Sequence, residues 1–253
     1  MSETETTPET IPETKRHDER RTAVVTGASG GVGGALARLL AARGWRVIAP
    51  VRSQDALREL NAIDGVEAEP LDLSDGEAVQ LWAEGAARRL DRLDLLAHVA
   101  AVGPTGRAVD ADLDLWRATL AVNVIAPATL TAGLIVPIRA ARGTVVFVNS
   151  GAGTRGVPSH GVYAASKHAL RGYADTLRLE ESANGVRVST VAPGPMDTKM
   201  LRDDHTWGDF RHEDVIDPTS VADAIAWVAD ATPDVQITNI DVRPRRELSI
   251  KAK

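Results

Sequence analysis

The chain of 253 residues contains no cysteine. Disulfides and thiolate metal sites are therefore excluded, and the composition suits a reducing compartment such as the cytoplasm. A basic surplus is also lacking: 29 Lys and Arg stand against 35 Asp and Glu, a formal charge of -6. Nucleic-acid surfaces need clustered cations on one face, so no nucleic-acid partner is expected. The N-terminal segment has no apolar stretch of the kind a secretory signal requires. No set of His, Asp and Glu has metal-ligand spacing, so no catalytic metal is expected. Internal repeats and interdomain linkers are absent as well.

What is present is enough chain to bury one large α/β core. Residues 1–20 are mostly Thr, Glu, Pro, Lys and Arg, with Ile11 the only strongly apolar residue after Met1. They cannot bury enough surface to offset the entropy of ordering, and are expected to form a disordered tail. The folded domain is expected over 21–244, with a C-terminal tail over 245–253. The uncharged stretch from Ala118 to Ile138 is long enough on paper to span a bilayer. Asn123, Pro127, Pro137 and three threonines interrupt it, and a helix packed between a sheet and a subunit partner accounts for it without a membrane.

Strand-like apolar runs alternate with helical patterns: Thr22 to Thr26, Arg46 to Pro50, Val66 to Leu71, Leu93 to Val99, Gly143 to Asn149, Val186 to Ala192 and Val235 to Val242. This alternation predicts a single Rossmann-like, doubly wound α/β domain, a seven-stranded parallel sheet flanked by helices. Ligands of such sheets bind beyond the carboxyl ends of the strands. That edge collects a glycine-rich turn, Arg52, Asp72, Ser150 and the pair Pro193-Gly194.

The glycine-rich turn lies in Thr22-Ala-Val-Val-Thr-Gly-Ala-Ser-Gly-Gly-Val-Gly-Gly34, between a β-branched run and an Ala/Leu-rich helix. Gly27, Gly31 and Gly33 suit a tight turn, close approach of the backbone to a pyrophosphate, and close packing of helix on strand. The helix start adds unpaired N–H groups and a positive dipole end. Farther along, Tyr163 and Lys167 stand four apart on an expected helix, and Ser150 ends an apolar run thirteen residues before Tyr163. Four residues separate neighbours on one helix face. An ammonium there favours phenolate and lowers the tyrosine pKa from about 10, giving an acid and base for carbonyl chemistry. Taken alone, Tyr-x-x-x-Lys also describes an ordinary helix pair.

Together these segments closely resemble the short-chain dehydrogenase/reductase family over roughly Arg21 to Pro244. Thr26-Gly27-Ala28-Ser29-Gly30-Gly31-Val32-Gly33 resembles its cofactor loop, and Leu71-Asp72-Leu73 resembles the segment whose Asp side chain contacts the adenine. The resemblance implies a catalytic set of Asn123, Ser150, Tyr163 and Lys167. Tyr163 would protonate the substrate oxygen and Ser150 would hydrogen-bond it. Lys167 would tune Tyr163 and bond the nicotinamide ribose, and Asn123 would hold a kinked helix and, through its backbone, a water. Pro193, Gly194 and Thr198 match the segment that holds the nicotinamide. The implied cofactor contacts are Thr26, Gly27, Ser29, Gly31, Val32, Gly33, Arg52, Asp72, Leu73, Asn123, Tyr163, Lys167, Pro193, Gly194 and Thr198. One departure is visible: His98-Val99-Ala100-Ala101 occupies the place of the family's Asn-Asn-Ala-Gly. A shifted or weaker adenosine-ribose contact is expected there, with His98 a strand-end residue.

After the second strand an acidic residue would bind the ribose hydroxyls of NAD, but Arg52 follows Val51. A guanidinium suits the 2′-phosphate, so NADP(H) is the expected cofactor. Substrate contacts are expected from a mobile lid between Met196 and Val215, including Met200, Leu201, Trp207 and Phe210, with His160 a further candidate and His205 and His212 plain surface residues. The apolar helices containing Ala118–Ile138 and Tyr163–Leu177 imply a homodimer or homotetramer. The expected activity is NADP(H)-dependent interconversion of a small carbonyl compound and a secondary alcohol. The alternatives are a catalytically silent NADP(H)-sensing regulator and an isomerase or dehydratase that recycles its cofactor.

Overall fold

Seven parallel strands form one sheet in the order β3-β2-β1-β4-β5-β6-β7, in a computed structural model that describes residues 20–204 and 211–246. They are β1 Thr22–Val25, β2 Arg46–Val51, β3 Val66–Pro70, β4 Leu95–His98, β5 Thr144–Val148, β6 Arg187–Pro193 and β7 Asn239–Val242. All four residues of β1 are buried, as a strand covered on both faces requires. Alternation along it divides the core: Ala23 and Val25 join one apolar layer, and Val24 joins the other.

The first layer is closed by α1 (Gly31–Ala42) and α8 (Pro218–Ala229), through Leu36, Leu40, Val221 and Ile225. The second is closed by α3 (Gly76–Arg89), α5 (Ala126–Ala141) and α6 (Gly161–Glu180), through Val79, Leu130, Leu134 and Leu170. Helix starts follow local chemistry. Ser53 caps α2 (Gln54–Asn61), while Asp75, Asp112 and Asp217 cap α3, α4 (Leu113–Leu120) and α8 by accepting from amides two or three residues ahead. The start of α1 differs, because its N-cap is Gly30 and no side chain satisfies its first amides.

The uncharged stretch is not one regular helix. A π-helical turn over Ala121–Ile125 separates α4 from α5. Pro127 supplies the reason, since it has no N–H to return to the carbonyl of Asn123 and its ring crowds that carbonyl. The helical run Leu113–Ala141 is long and apolar enough to cross a membrane by length and composition. Its inner side is built into the core, where Leu130, Leu134 and Ile138 are fully buried. Gly133 lies so close to α3 that a methyl placed on it would come within 2.6 Å of Ala83 Cβ.

β1, β3 and β5 are one or two residues shorter than expected, and β4 and β7 lose more because side chains take over the ladder. The amide of Val99 donates to Thr26 Oγ1, which ends β4 at His98. Before β7, Gln236 Nε2 donates to Val188 O and Ser189 Oγ donates to Ile237 O. Arg20, expected in the N-terminal tail, donates its Nε to Gly44 O at 2.8 Å. The rest of that tail, residues 247–253, and the lid positions His205, Trp207 and Phe210 lie outside the described residues, as does the His212 side chain.

Candidate functional site

Gly27 turns the chain after β1 with φ of +71°, and a methyl on it would come within 2.8 Å of Ala100 N. A methyl on Gly33 would come within 2.3 Å of Gly27 O, so α1 packs against the turn only without a side chain there. With Gly31 opening α1 and no side-chain cap, this is a concave run of main-chain amides fit for a pyrophosphate. Ser29 is exposed on the turn, whereas Val32 is buried beneath it. Thr26, expected among the cofactor contacts, turns inward instead: its hydroxyl accepts from Val99 N at 3.0 Å and Ala100 N at 3.2 Å. It thereby pins the turn after β4 across the glycine turn. The departure at Val99 and Ala101 is thus held by main-chain amides that need no Asn side chain.

Arg52 lies just beyond β2, 79% exposed, with its Nη1 3.9 Å from Asp72 Oδ2. Asp72 accepts from Ser74 N at 2.9 Å and Ser74 Oγ at 2.7 Å. These bonds, with Arg52 a smaller contributor, hold its carboxyl below the usual range. Leu73 is half-buried against α3. His98 is a core residue: it stacks on Phe147 with ring centroids 4.9 Å apart, and its Nε2 is 2.9 Å from Thr131 Oγ1. Burial lowers its pKa to about 3, so it stays neutral.

Tyr163 and Lys167 lie one turn apart on α6, and Tyr163 and Ser150 line the same cavity, with Ser150 near enough to draw the phenol pKa down. Lys167 is 1% exposed. Its Nζ donates to Val148 O, the last residue of β5, at 2.9 Å, and lies 5.7 Å from the centre of the Tyr163 ring. Burial lowers this ammonium to about 8. The expected downward pull on the phenol is overturned. Burial raises the Tyr163 pKa, the nearby Ser150 hydroxyl opposes this, and burial wins. Spacing alone brought the ammonium near the ring, but it is aimed at a backbone carbonyl and is itself easily neutralised.

Asn123 is fully buried in the π turn. Its Oδ1 accepts from Val102 N and its Nδ2 donates to Val102 O, both at 2.8 Å, so its side chain holds the segment after β4. The same Nδ2 donates to Ser166 Oγ at 3.0 Å, and Ser166 Oγ donates to Tyr163 O at 2.7 Å. This link from the π turn to the Tyr163 backbone escaped the sequence reading, although Ser166 lies three residues after Tyr163 on the same face. Asn149 is a second such residue: its Nδ2 donates to Lys167 O at 3.1 Å and its Oδ1 accepts from Ser150 N at 2.8 Å. It joins the strand-end serine to the lysine helix.

Ser150 and Tyr163 open into a cavity of about 240 Å³, with Pro193, Gly194, Thr198 and Met200 among its lining. Thr198 caps α7 (Lys199–Arg202) by accepting from Leu201 N. Leu201 and Met200, from the segment after Met196, line the same cavity. His160 lies beside Tyr163, with ring centroids 6.4 Å apart. Its Nε2 is 2.8 Å from Asp204 Oδ2, which fastens the segment after α7 to the start of α6. Nothing in the spacing of His160 and Asp204 marks that contact in advance.

Comparison with known proteins agrees with this architecture. Residues 21–209 match the family model described as short chain dehydrogenase. A candidate ketoacyl reductase of the monensin polyketide synthase from Streptomyces virginiae is 37% identical over 192 residues, covering 72% of this chain and 73% of that protein. A metagenomic short-chain oxidoreductase solved in complex with NADP is 32% identical, with a TM-score of 0.76 over 90% of this chain and 98% of its own. An alcohol dehydrogenase from the archaeon Thermococcus sibiricus, complexed with 5-hydroxy-NADP, has a TM-score of 0.81 at 24% identity, over 90% of this chain and 97% of its own, a likeness of fold.

The buried lysine generates a prediction. Its pKa is about 8 in the folded protein against an ordinary 10.5. Between those values the unfolded chain binds the extra proton, so stability rises with pH there. Urea unfolding of the cofactor-free protein at about pH 7.5 and about pH 9.5 should give a rise that Lys167→Met flattens. An equal pH dependence in the two proteins would refute the placement of the charge.

Proposed function

The chain belongs to the short-chain dehydrogenase family, and from that premise we propose that it is an NADP(H)-dependent oxidoreductase interconverting a carbonyl and a secondary alcohol. The observation that carries the reading is the Tyr163 phenol, kept neutral by burial and standing beside Ser150 at the wall of one cavity. A protonated phenol is what carbonyl reduction needs, because negative charge develops on the substrate oxygen. Ser150 holds that oxygen with a second hydroxyl, a small oxyanion site.

The residues present fit a dinucleotide. The uncapped start of α1 and the Gly27–Gly33 concavity would receive the pyrophosphate, and exposed Arg52 would receive a 2′-phosphate, with Asp72 beside it on the adenine side. Pro193, Gly194 and Thr198 line the cavity that would receive the nicotinamide. When bound in its reduced form, this cofactor supplies hydride to the carbonyl carbon. Tyr163 gives its proton to the oxygen, and in the reverse direction takes it back. Lys167, beneath the Tyr163 ring, is the near cation from which the phenol can be recharged. Asn123 acts as a positioning residue: it joins the segment at Val102 to Ser166 and so fixes the backbone of Tyr163.

Small-molecule turnover in the cytoplasm by a homo-oligomer completes the proposal. Its support is the absence of cysteine and the exposure of Ile125, Val136 and Leu179 on the helical faces around α5 and α6.

Two measurements test the reading. Across a panel of carbonyl compounds, the protein should consume NADPH, and Tyr163→Phe should bind NADPH normally while turning over about 100-fold to 10,000-fold more slowly. NADPH bound without consumption, or full turnover by the variant, would contradict the assignment. Arg52→Ala should weaken NADPH binding about tenfold or more relative to NADH; an unchanged ratio would remove Arg52 from the cofactor site.

A further inference from the structure

We infer that the substrate carries a carboxylate close to its reacting carbon, received by Arg155 and Arg243. This rests on the oxidoreductase reading and specifies its substrate class. Both arginines line the cavity that holds the Tyr163 and Ser150 side chains. They reach it from distant parts of the chain, Arg155 from the turn after β5 and Arg243 from the residue that follows β7.

The two guanidiniums converge on Gly151, the neighbour of Ser150. A methyl placed on Gly151 would lie 3.3 Å from Arg243 Nη1 and 3.8 Å from Arg155 Nη2. Glycine at that position leaves the space in front of both cations open. A methyl on Gly194 would likewise lie 3.0 Å from Arg243 Nη1, so this guanidinium lies beside both Gly151 and Gly194 of the cavity wall. Arg243 also has a partner elsewhere in the chain, and the subsite does not depend on its being unpaired. Arg155 has no ion-pair partner among the described residues. The carboxylate among the described lining residues, Asp204, is engaged by His160 at 2.8 Å.

Two planar guanidinium forks match the two oxygens of a carboxylate. The cavity, about 240 Å³, would also receive the nicotinamide beside Pro193, Gly194 and Thr198, and the space left over favours a short acid. Consecutive Cα atoms are about 3.8 Å apart. A carbonyl oxygen on Ser150 and a carboxylate beside Gly151 therefore belong to one small molecule, an oxo acid or its hydroxy acid. In the reduction, hydride from NADPH goes to the carbonyl carbon and the Tyr163 proton goes to its oxygen. The carboxylate is unchanged, and NADP+ and the hydroxy acid leave.

The test compares acetoacetate with methyl acetoacetate, its uncharged ester, and with hydroxyacetone phosphate, using NADPH consumption by the intact protein, Arg155→Gln and Arg243→Gln. The acid should be preferred over the ester by about tenfold or more in kcat/KM, chiefly through KM, and each substitution should bring that ratio toward about one. An ester used as well as the acid, or a preference that survives both substitutions, would overturn the proposal. A stronger preference for hydroxyacetone phosphate would overturn the carboxylate in favour of a phosphate. Should none of the three be consumed, calorimetric titration of acetoacetate into the NADP+-loaded protein decides: binding lost in Arg155→Gln supports the subsite, and no binding overturns it. Failure of the oxidoreductase reading looks different, because then no carbonyl compound of any charge consumes NADPH.

Discussion

A lysine ammonium almost wholly removed from water, held by the carbonyl that ends β5, is the constraint around which the candidate site is arranged. An isolated buried charge is costly, and Lys167 meets part of that cost by lowering its pKa to about 8. The same burial acts oppositely on its neighbour, because Tyr163 is an acid whose charged form is the anion. One environment therefore moves the two groups apart, the ammonium down and the phenol up, and leaves the proton on the phenol. A donor for a developing alkoxide follows from burial, with no separate device needed to keep Tyr163 neutral.

Keeping that environment requires distant segments to meet. Asn149 ties the end of β5 to the Lys167 backbone. Asn123 and Ser166 tie the π turn to the Tyr163 backbone, and Pro127 explains why that turn departs from α-helical bonding. On the other side of the crevice Thr26 locks the turns after β1 and β4 together. The glycine concavity after β1 and the serine after β5 thus stand beyond strand ends of one sheet, whose order fixes their relation, and α6 brings the phenol to the serine. Strand ends and α6 carry the chemistry, while Asp204, after α7, is fastened to His160 at the start of α6.

Much of this was legible in the residues. Seven apolar runs alternating with helical patterns gave the sheet, since strand and helix periods are local properties. Glycine at Gly27 and Gly33 announced positions where a side chain has no room. The rest depended on facts that spacing does not carry. Four residues between Tyr163 and Lys167 fix proximity but not depth, so the direction of the phenol shift was misjudged. Thr26 was assigned to the cofactor by its place in a motif, whereas its hydroxyl is taken by two amides from beyond β4. Ser166, Asn149, Arg155 and Arg243 gained their places only through tertiary convergence. The short β4 and β7 reflect side chains competing for ladder bonds, a contest invisible to apolar patterning.

The central claim, that burial keeps the proton on Tyr163, is open to direct titration. The chain has only two tyrosines, and Tyr173 stacks edge-on against Phe147, a contact that phenylalanine retains. In a Tyr173→Phe protein every phenolate signal in the ultraviolet comes from Tyr163. The account predicts that phenolate absorbance in the folded, cofactor-free protein grows in only above the ordinary tyrosine value of 10.0. Ionisation at or near neutral pH would contradict it, and would return control of the phenol to the Lys167 charge.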